Sequence, residues 1–331
     1  MSRRRLLFLA AFGVIVLLGG CAWAASGAFR SSWSTAAAAD PRLEIVAGVG
    51  FMAALLATAC SWRLAFRTIG SPIDHTGACA AYAAGSLVNM VSPARIGDGV
   101  RAALFARSLR SQPGRALSAA GAVGAIALSR ALAHTVLLGT GVALGAFPLW
   151  PFVALGAAVL AVAVAAAVLS SRRGPRCLPA RLFAATVVLI RRPQLGLRLV
   201  CWSLVAVAGR FAAAAAVVSS LGLPHPLLSA LAITGALDLA GLVPLTPGGI
   251  GVTTGVVSLA VAAHGAGSAT AVATGLVFQA VETLSGVVFA GTVLPLAACP
   301  PRARAALRVA GAVAVVSICA AVGMPAVLDV G

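Results

Sequence analysis

Seven charged side chains and two amides interrupt long apolar stretches of this 331-residue sequence. They are Asn89, Arg95, Asp98, Arg101, Arg130, Arg210, Asp238, Gln279 and Glu282. An ionised side chain at the centre of a membrane helix costs roughly 2.5–3.5 kcal/mol on insertion scales, so four arginines facing lipid would cost about 10 kcal/mol. We therefore expect each arginine to face water, a carboxylate or a bound anion. The four arginines outnumber the three carboxylates by one positive charge. An anionic guest would balance that charge, and guanidinium binds phosphate in a bidentate manner.

Several of these residues also have simpler interpretations. Arg101 could extend to the membrane surface, and Arg95 could form a local pair with Asp98. Asp238 and Glu282 could serve only as counter-ions or could take part in transport. Arg130 and Arg210 lie in the middle of apolar segments, where a role in a polar cavity explains them best.

Composition identifies the class of protein to which these residues belong. The chain is 61% hydrophobic and only 9% charged, and its mean hydropathy is +1.04. Soluble domains carry about 25% charged residues. All 24 basic residues are arginine, and the formal net charge is +17. The composition predicts a polytopic membrane protein whose arginines orient the chain and contact anionic lipid, not nucleic acid.

Apolar stretches of about 20 residues are candidates for spanning helices. We predict seven spans, over residues 6–25, 43–62, 116–147, 149–170, 199–220, 269–298 and 309–328. Two further apolar regions, 75–109 and 227–263, contain Pro and Gly near their centres, which break a helix. We expect each broken region to form a re-entrant hairpin of two short helices.

The distribution of the arginines favours two re-entrant hairpins, because this topology places most of the loop arginines on one side of the membrane. With two hairpins, 18 loop arginines lie on one side and only Arg30 and Arg42 on the other. Cytoplasmic loops carry the cationic excess, so we expect a plasma-membrane protein with its N-terminus inside and its C-terminus outside. The first 25 residues also resemble a secretory signal ending near Cys21, although a retained first span is the favoured interpretation.

A short pattern recurs at the two breaks. Ser92–Gly97 reads SPARIG and Thr246–Gly251 reads TPGGIG. Three predicted spans separate the two motifs, so the two hairpins enter from opposite sides. Such an inverted repeat places broken helices around a binding site at the midplane of many transporters. The predicted fold is an all-α polytopic membrane domain over 1–331, with repeats over about 1–147 and 148–298 and an extra helix at 309–328.

The motifs resemble a known family, the transmembrane region of lysylphosphatidylglycerol synthases, also described as flippase-like integral membrane proteins. The early match is NMVSPARIGDGVR, with Asn89, Pro93, Gly97, Asp98 and Arg101; the late match is TPGGIGVTTG. The residues expected to line the substrate site are Asn89, Pro93, Arg95, Asp98, Arg101, Arg130, Arg210, Asp238, Pro247, Gly248, Gly249, Gly251, Thr254, Gln279 and Glu282.

The chain also departs from the family pattern. Family acids fall on Ser129, Ala133 and Thr254, and an arginine expected in the sixth span is replaced by Gln279 or Glu282. A different substrate or a loss of proton coupling would explain these changes. The soluble aminoacyl-transferring domain of the full-length synthases is not expected here.

The resemblance implies a flippase or scramblase that moves an anionic phospholipid or a polyprenyl-phosphate-linked lipid. We expect no catalytic residue, metal or cofactor, and a lipid-modifying enzyme or glycosyltransferase is a candidate partner. An intramembrane transferase acting on a lipid-linked substrate and a small-anion permease are the alternatives.

Overall fold

The computed structural model describes residues 27–92, 96–109, 115–143, 191–240 and 251–299. Within these ranges the chain forms nine α-helices and no strand. They are α1 (Gly27–Ala37), α2 (Pro41–Thr68), α3 (His75–Val91), α4 (Ile96–Arg107), α5 (Arg115–Ala143), α6 (Pro193–Ser220), α7 (Pro226–Ala240), α8 (Val252–Ala262) and α9 (Ser268–Ala298). The predicted all-α architecture is confirmed for this part of the chain.

Four of these helices are long and apolar enough to cross a membrane: α2, α5, α6 and α9. Each coincides with a predicted span, and α2, with 28 residues, is about 42 Å long at 1.5 Å per residue. Ile45, Val49 and Leu56 share one exposed face of α2, as expected for side chains that contact lipid. The other predicted spans, 6–25, 149–170 and 309–328, lie outside the described residues.

Local sequence accounts for where these helices begin. Asp40 caps α2 by accepting a hydrogen bond from the Arg42 N–H at 2.9 Å, and Pro41 occupies the first helical position. Asp74 caps α3 through the Gly77 N–H at 2.9 Å. Helix α6 begins at Pro193, six residues before the predicted start of its span, because proline is tolerated in the first turn. The segment before α2, expected to be a loop, contains α1, which packs on α9.

Both broken regions are pairs of short helices. The first region forms α3, which ends at Val91, and α4; the second forms α7 and α8, and residues 241–250 lie outside the described residues. In each region the two helices contact one another. A Cβ placed on Gly85 would lie 2.7 Å from the Gly97 carbonyl oxygen, so α3 and α4 are in backbone contact.

Helices α2 and α6 run antiparallel and cross in direct backbone contact. The Asp40 N–H at the start of α2 donates to the Ser220 carbonyl at the end of α6, at 3.0 Å. A Cβ on Gly50 would lie 2.7 Å from the Gly209 carbonyl oxygen, and a Cβ on Gly209 would lie 2.7 Å from the Gly50 carbonyl oxygen. Small residues permit this approach, which supplies packing energy in lipid.

Two separate hydrophobic cores lie on either side of this crossing. The first core joins the end of α2, at Trp62 and Phe66, to α3, α4, α5 and Phe289 of α9. The second core joins the start of α2, at Ala47 and Phe51, to α6, α7, α8 and α9. Each core contains one hairpin, and α2, α6 and α9 pass through both. Of the polar side chains described below, Arg210 and Glu282 lie on segments of α6 and α9 between the two cores, whereas Arg101 contacts Trp62 and Tyr82 of the first core.

Candidate functional site

One face of α9 joins the two hairpins. Gly275, Gln279, Glu282 and Gly286 follow one another at spacings of four, three and four residues, which places them on a single face of a helix. The two glycines are buried. The two polar residues lie between them, over a helix length of about 16 Å.

The glycines at the two ends of this face are points of close contact. A Cβ on Gly275 would collide with the Thr254 carbonyl oxygen in α8 and lie 2.8 Å from Ser258 Oγ. A Cβ on Gly286 would collide with the Met90 methyl group near the end of α3. The second hairpin therefore contacts α9 on the N-terminal side of Gln279, and the first hairpin contacts it on the C-terminal side of Glu282. The two polar side chains lie between these contacts.

Glu282 forms an ion pair with Arg210 of α6. The Arg210 Nη2 donates to Glu282 Oε1 at 2.8 Å, and each side chain is 31% exposed. Arg210 directly follows Gly209, so the pair lies at the level of the α2–α6 crossing. The carboxylate neutralises the arginine in this state, and the partial exposure leaves the pair accessible to a further polar group.

Only one of the two polar groups of the Gln279 amide has a hydrogen-bond partner among the described residues. Its Nε2 donates to Thr283 Oγ1 at 3.0 Å. Its Oε1 is buried and has no hydrogen-bond partner among the described residues.

The first hairpin contains its own charged cluster, centred on Arg101. The Arg101 Nη1 donates to Asp98 Oδ1 at 3.0 Å and the Nη2 donates to Ser86 Oγ at 3.0 Å. The guanidinium also lies over the Tyr82 ring, 3.9 Å from its centroid, and 5.6 Å from the Trp62 centroid. Arg101 is 7% exposed, so it clamps α4 to α2 and α3 and does not extend to the membrane surface.

Asn89 belongs to the same cluster. Its amide donates to Asp98 Oδ1 at 3.1 Å, and its own oxygen is packed against Gly97, where a Cβ would lie 2.5 Å away. Asn89, Asp98 and Arg101 are thus brought together within the hairpin. The local pair considered between Arg95 and Asp98 cannot be described, because Arg95 lies outside the described residues.

Helices α5 and α6 meet through a pair of hydroxyl groups. Ser129 Oγ lies 2.9 Å from Ser203 Oγ, and both residues are buried. The next residue of α5 is Arg130, whose guanidinium has no ion-pair partner within the described ranges. The His134 side chain bonds back to the Arg130 carbonyl oxygen at 2.8 Å. Among the described residues, Arg130 is thus a cation within an apolar helix that has no carboxylate partner.

The remaining predicted site residues lie around the second break. Gly251, with a φ of 86°, precedes the first residue of α8, and Thr254 lies in the first turn of that helix. Pro93, Pro247, Gly248 and Gly249 lie outside the described residues, as does the Asp238 side chain. No group of His, Cys, Asp or Glu that could hold a metal ion is found in the part of the chain that the structure describes.

Comparison with protein families identifies the family of the chain. The model of the lysylphosphatidylglycerol synthase TM region matches residues 8–291. The chain belongs to this family. Membership in the lysylphosphatidylglycerol synthase TM family connects the protein with lipid metabolism or lipid flipping in a membrane. A search of curated proteins finds no match to the chain.

The three positions at which the sequence analysis expected family acids lie in packed helix contacts. Ser129 faces Ser203, Ala133 is fully buried, and the Thr254 backbone lies against Gly275. Ser129 directly precedes Arg130 on α5, and Arg130 has no carboxylate partner among the described residues.

The sequence analysis missed Gly275, Gly286 and Ser203. A signal for the two glycines was present, because Gly275 and Gly286 flank two polar residues, Gln279 and Glu282, on one helical face. Ser203 carries no comparable signal, since a lone serine in an apolar helix is ordinary.

Proposed function

We propose that this protein moves an anionic phospholipid or a polyprenyl-phosphate-linked lipid between the two leaflets of the plasma membrane. The observation that carries the proposal is the α9 face, on which Gln279 and the Glu282–Arg210 pair lie between two broken-helix hairpins. The lipid phosphate would bind in the space between the hairpins, and its acyl chains would remain in the bilayer.

Electrostatics supports an anionic cargo. Arg101 is compensated by Asp98 and Arg210 by Glu282, whereas Arg130 has no carboxylate partner among the described residues. A singly charged phosphodiester would neutralise Arg130 in a medium where an unpaired charge is costly. Arg210 would then be a second ligand, since a partly exposed ion pair can exchange one anion for another.

An inverted repeat would give the chamber access to both leaflets, and the helix contacts support one. Helices α2–α5 contact one another in the order α2–α3, α3–α4 and α4–α5, and helices α6–α9 repeat this order as α6–α7, α7–α8 and α8–α9. Between the two sets, α9 contacts α2 and α3 while α5 contacts α6 and α7. The reciprocal contact of Gly50 and Gly209 lies where a twofold axis in the membrane plane would cut the α2–α6 pair.

With the N-terminus in the cytoplasm and the C-terminus outside, the first hairpin would enter from the cytoplasm and the second from the external side. Rocking of the two halves would expose the α9 face to one leaflet and then to the other.

The test is lipid movement in proteoliposomes. Purified protein is reconstituted with a phosphatidylglycerol that carries a fluorophore on its acyl chain, and the fluorophore remaining in the outer leaflet is followed by chemical quenching. We expect the protein to accelerate exchange, Arg130→Gln to slow it at least tenfold, and Arg198→Gln, an exposed position on α6, to leave it unchanged. Failure to move any anionic lipid would refute the proposal. Potential-dependent uptake of a water-soluble anion would favour a permease instead.

A further inference from the structure

The Gln279 side-chain oxygen is a buried acceptor that the protein does not use. Four buried side-chain atoms lack a partner among the described residues: Arg63 Nε, Asn89 Oδ1, Arg101 Nε and Gln279 Oε1. Buried polar atoms are almost always hydrogen-bonded, so each exception requires a physical explanation.

Two of these four atoms have a structural explanation. Arg101 Nε belongs to a guanidinium that already donates through both terminal nitrogens. Asn89 Oδ1 is covered by the backbone of Gly97. Nothing in the described contacts explains Arg63 Nε. The Gln279 oxygen belongs to the face of α9 that lies between the contacts of Gly275 with α8 and of Gly286 with α3.

The location of Gln279 relative to the second hairpin follows from the packing of α9. Gly275 is in contact with Thr254 of α8, and α8 runs antiparallel to α9. Gln279, one turn further along α9, therefore lies at the level of Gly251, where α8 begins. Glu282 follows on the same face and holds Arg210 at 2.8 Å. An acceptor and a cation thus lie within one helical turn of each other.

Only the nitrogen of the Gln279 amide has a hydrogen-bond partner among the described residues. Its Nε2 donates to Thr283 Oγ1 at 3.0 Å. Exchanging the amide oxygen and nitrogen would leave a donor unsatisfied instead of an acceptor. The side chain as a whole is only partly buried, so part of Gln279 remains accessible to a bound group.

We propose that Gln279 selects the cargo by accepting a hydrogen bond from its head group. The cargo is then a lipid phosphate ester that carries a hydroxyl or amine donor beyond the phosphate. The phosphate binds at the arginines and the donor binds at Gln279 Oε1. A phosphate ester of the same charge without a donor is a poorer cargo, because it leaves the acceptor unsatisfied. This inference rests on the proposed lipid transport.

Two lipids of equal charge test the inference. Phosphatidylglycerol and phosphatidylmethanol each carry one negative charge, and only the first has head-group hydroxyls. We expect the wild-type protein in proteoliposomes to move phosphatidylglycerol about tenfold faster. Gln279→Leu and Gln279→Met remove the acceptor, so each should move the two lipids at equal rates. Thr283→Ala keeps the acceptor and should keep the preference.

A measurement of stability provides a second, independent test. Replacing an unsatisfied buried amide with an apolar side chain of similar size is neutral or stabilising, so the thermal midpoint of Gln279→Leu should equal or exceed that of the wild type. A clear loss of stability in both apolar variants would show that the protein itself satisfies the amide, and would overturn the inference.

The outcomes separate the two proposals. Transport of both lipids at equal rates by the wild type, or a preference that survives in Gln279→Leu, overturns the role of Gln279 and leaves lipid transport standing. Absence of transport of every lipid overturns the proposed function and this inference with it.

Discussion

The α2–α6 crossing provides a sharp test of the packing, through Gly50→Ala and Gly209→Ala. Each new Cβ would lie 2.7 Å from a backbone carbonyl oxygen, whereas ordinary van der Waals contact begins near 3.4 Å, so the two backbones would have to separate by about 0.7 Å. Overpacking of this kind costs about 1–3 kcal/mol. Alanine recovers about 1 kcal/mol in helix propensity. We therefore expect each variant to lose up to about 2 kcal/mol.

Matched controls come from helical glycines that face open space. Gly124 on α5 and Gly291 on α9 have no atom within 4 Å of an added Cβ, so alanine there should be neutral or stabilising by up to about 1 kcal/mol. Thermal unfolding of the purified variants measures all four. The double variant of Gly50 and Gly209 should lose less than the sum of the single losses, because the first alanine already separates the helices. Equal stability of the crossing variants and the controls would refute the packing.

Three further predictions concern the clusters. Arg101→Ala should destabilise the protein by about 2 kcal/mol, because it removes a desolvated cation–π contact and one of the partners of Asp98. Arg107→Ala at an exposed position should change stability by less than about 0.5 kcal/mol, and thermal unfolding compares the two variants. A double-mutant cycle with Arg210→Gln and Glu282→Gln should give a coupling energy between the ~1 kcal/mol of exposed pairs and the ~3 kcal/mol of buried ones, and an additive cycle would contradict the ion pair. Gly275→Ala should slow lipid exchange, because it forces α8 away from α9, with transport per folded protein as the measurement.

The sequence was informative about local structure. Pro93 and the sequence Pro247-Gly248-Gly249 each interrupt an apolar run, and the structure has a pair of short helices in both regions. Proline and glycine act on the backbone of their own segment, so their effect is readable without tertiary information. Hydrophobic length identified α2, α5, α6 and α9 for the same reason.

Contacts between segments that are distant in the chain could not be predicted from the sequence. The sequence contains many pairs of small residues at spacings of four, and Gly251–Gly255 fitted a helix contact as well as Gly50–Ala54 did. Only the second pair packs closely, because an added Cβ on Gly255 meets no atom within 4 Å. In a chain rich in alanine and glycine, such spacings do not identify which helices meet.

The charged residues illustrate the same limit at the site. Their cost in lipid predicts that they have partners, and Glu282 does compensate Arg210. The sequence could not show which arginine has a structural role. Tyr82 and Trp62 enclose Arg101 only after α2, α3 and α4 pack together. The unsatisfied oxygen of Gln279 likewise has no signature in sequence.

The central claim is that two hairpins reach the same chamber from opposite faces of the membrane. It is tested most directly by introducing Ser92→Cys and Thr246→Cys singly into a cysteine-free background and labelling oriented vesicles with a membrane-impermeant maleimide. We predict that Ser92→Cys reacts from the cytoplasmic face and Thr246→Cys from the external face. Labelling of both positions from one and the same face would contradict the account.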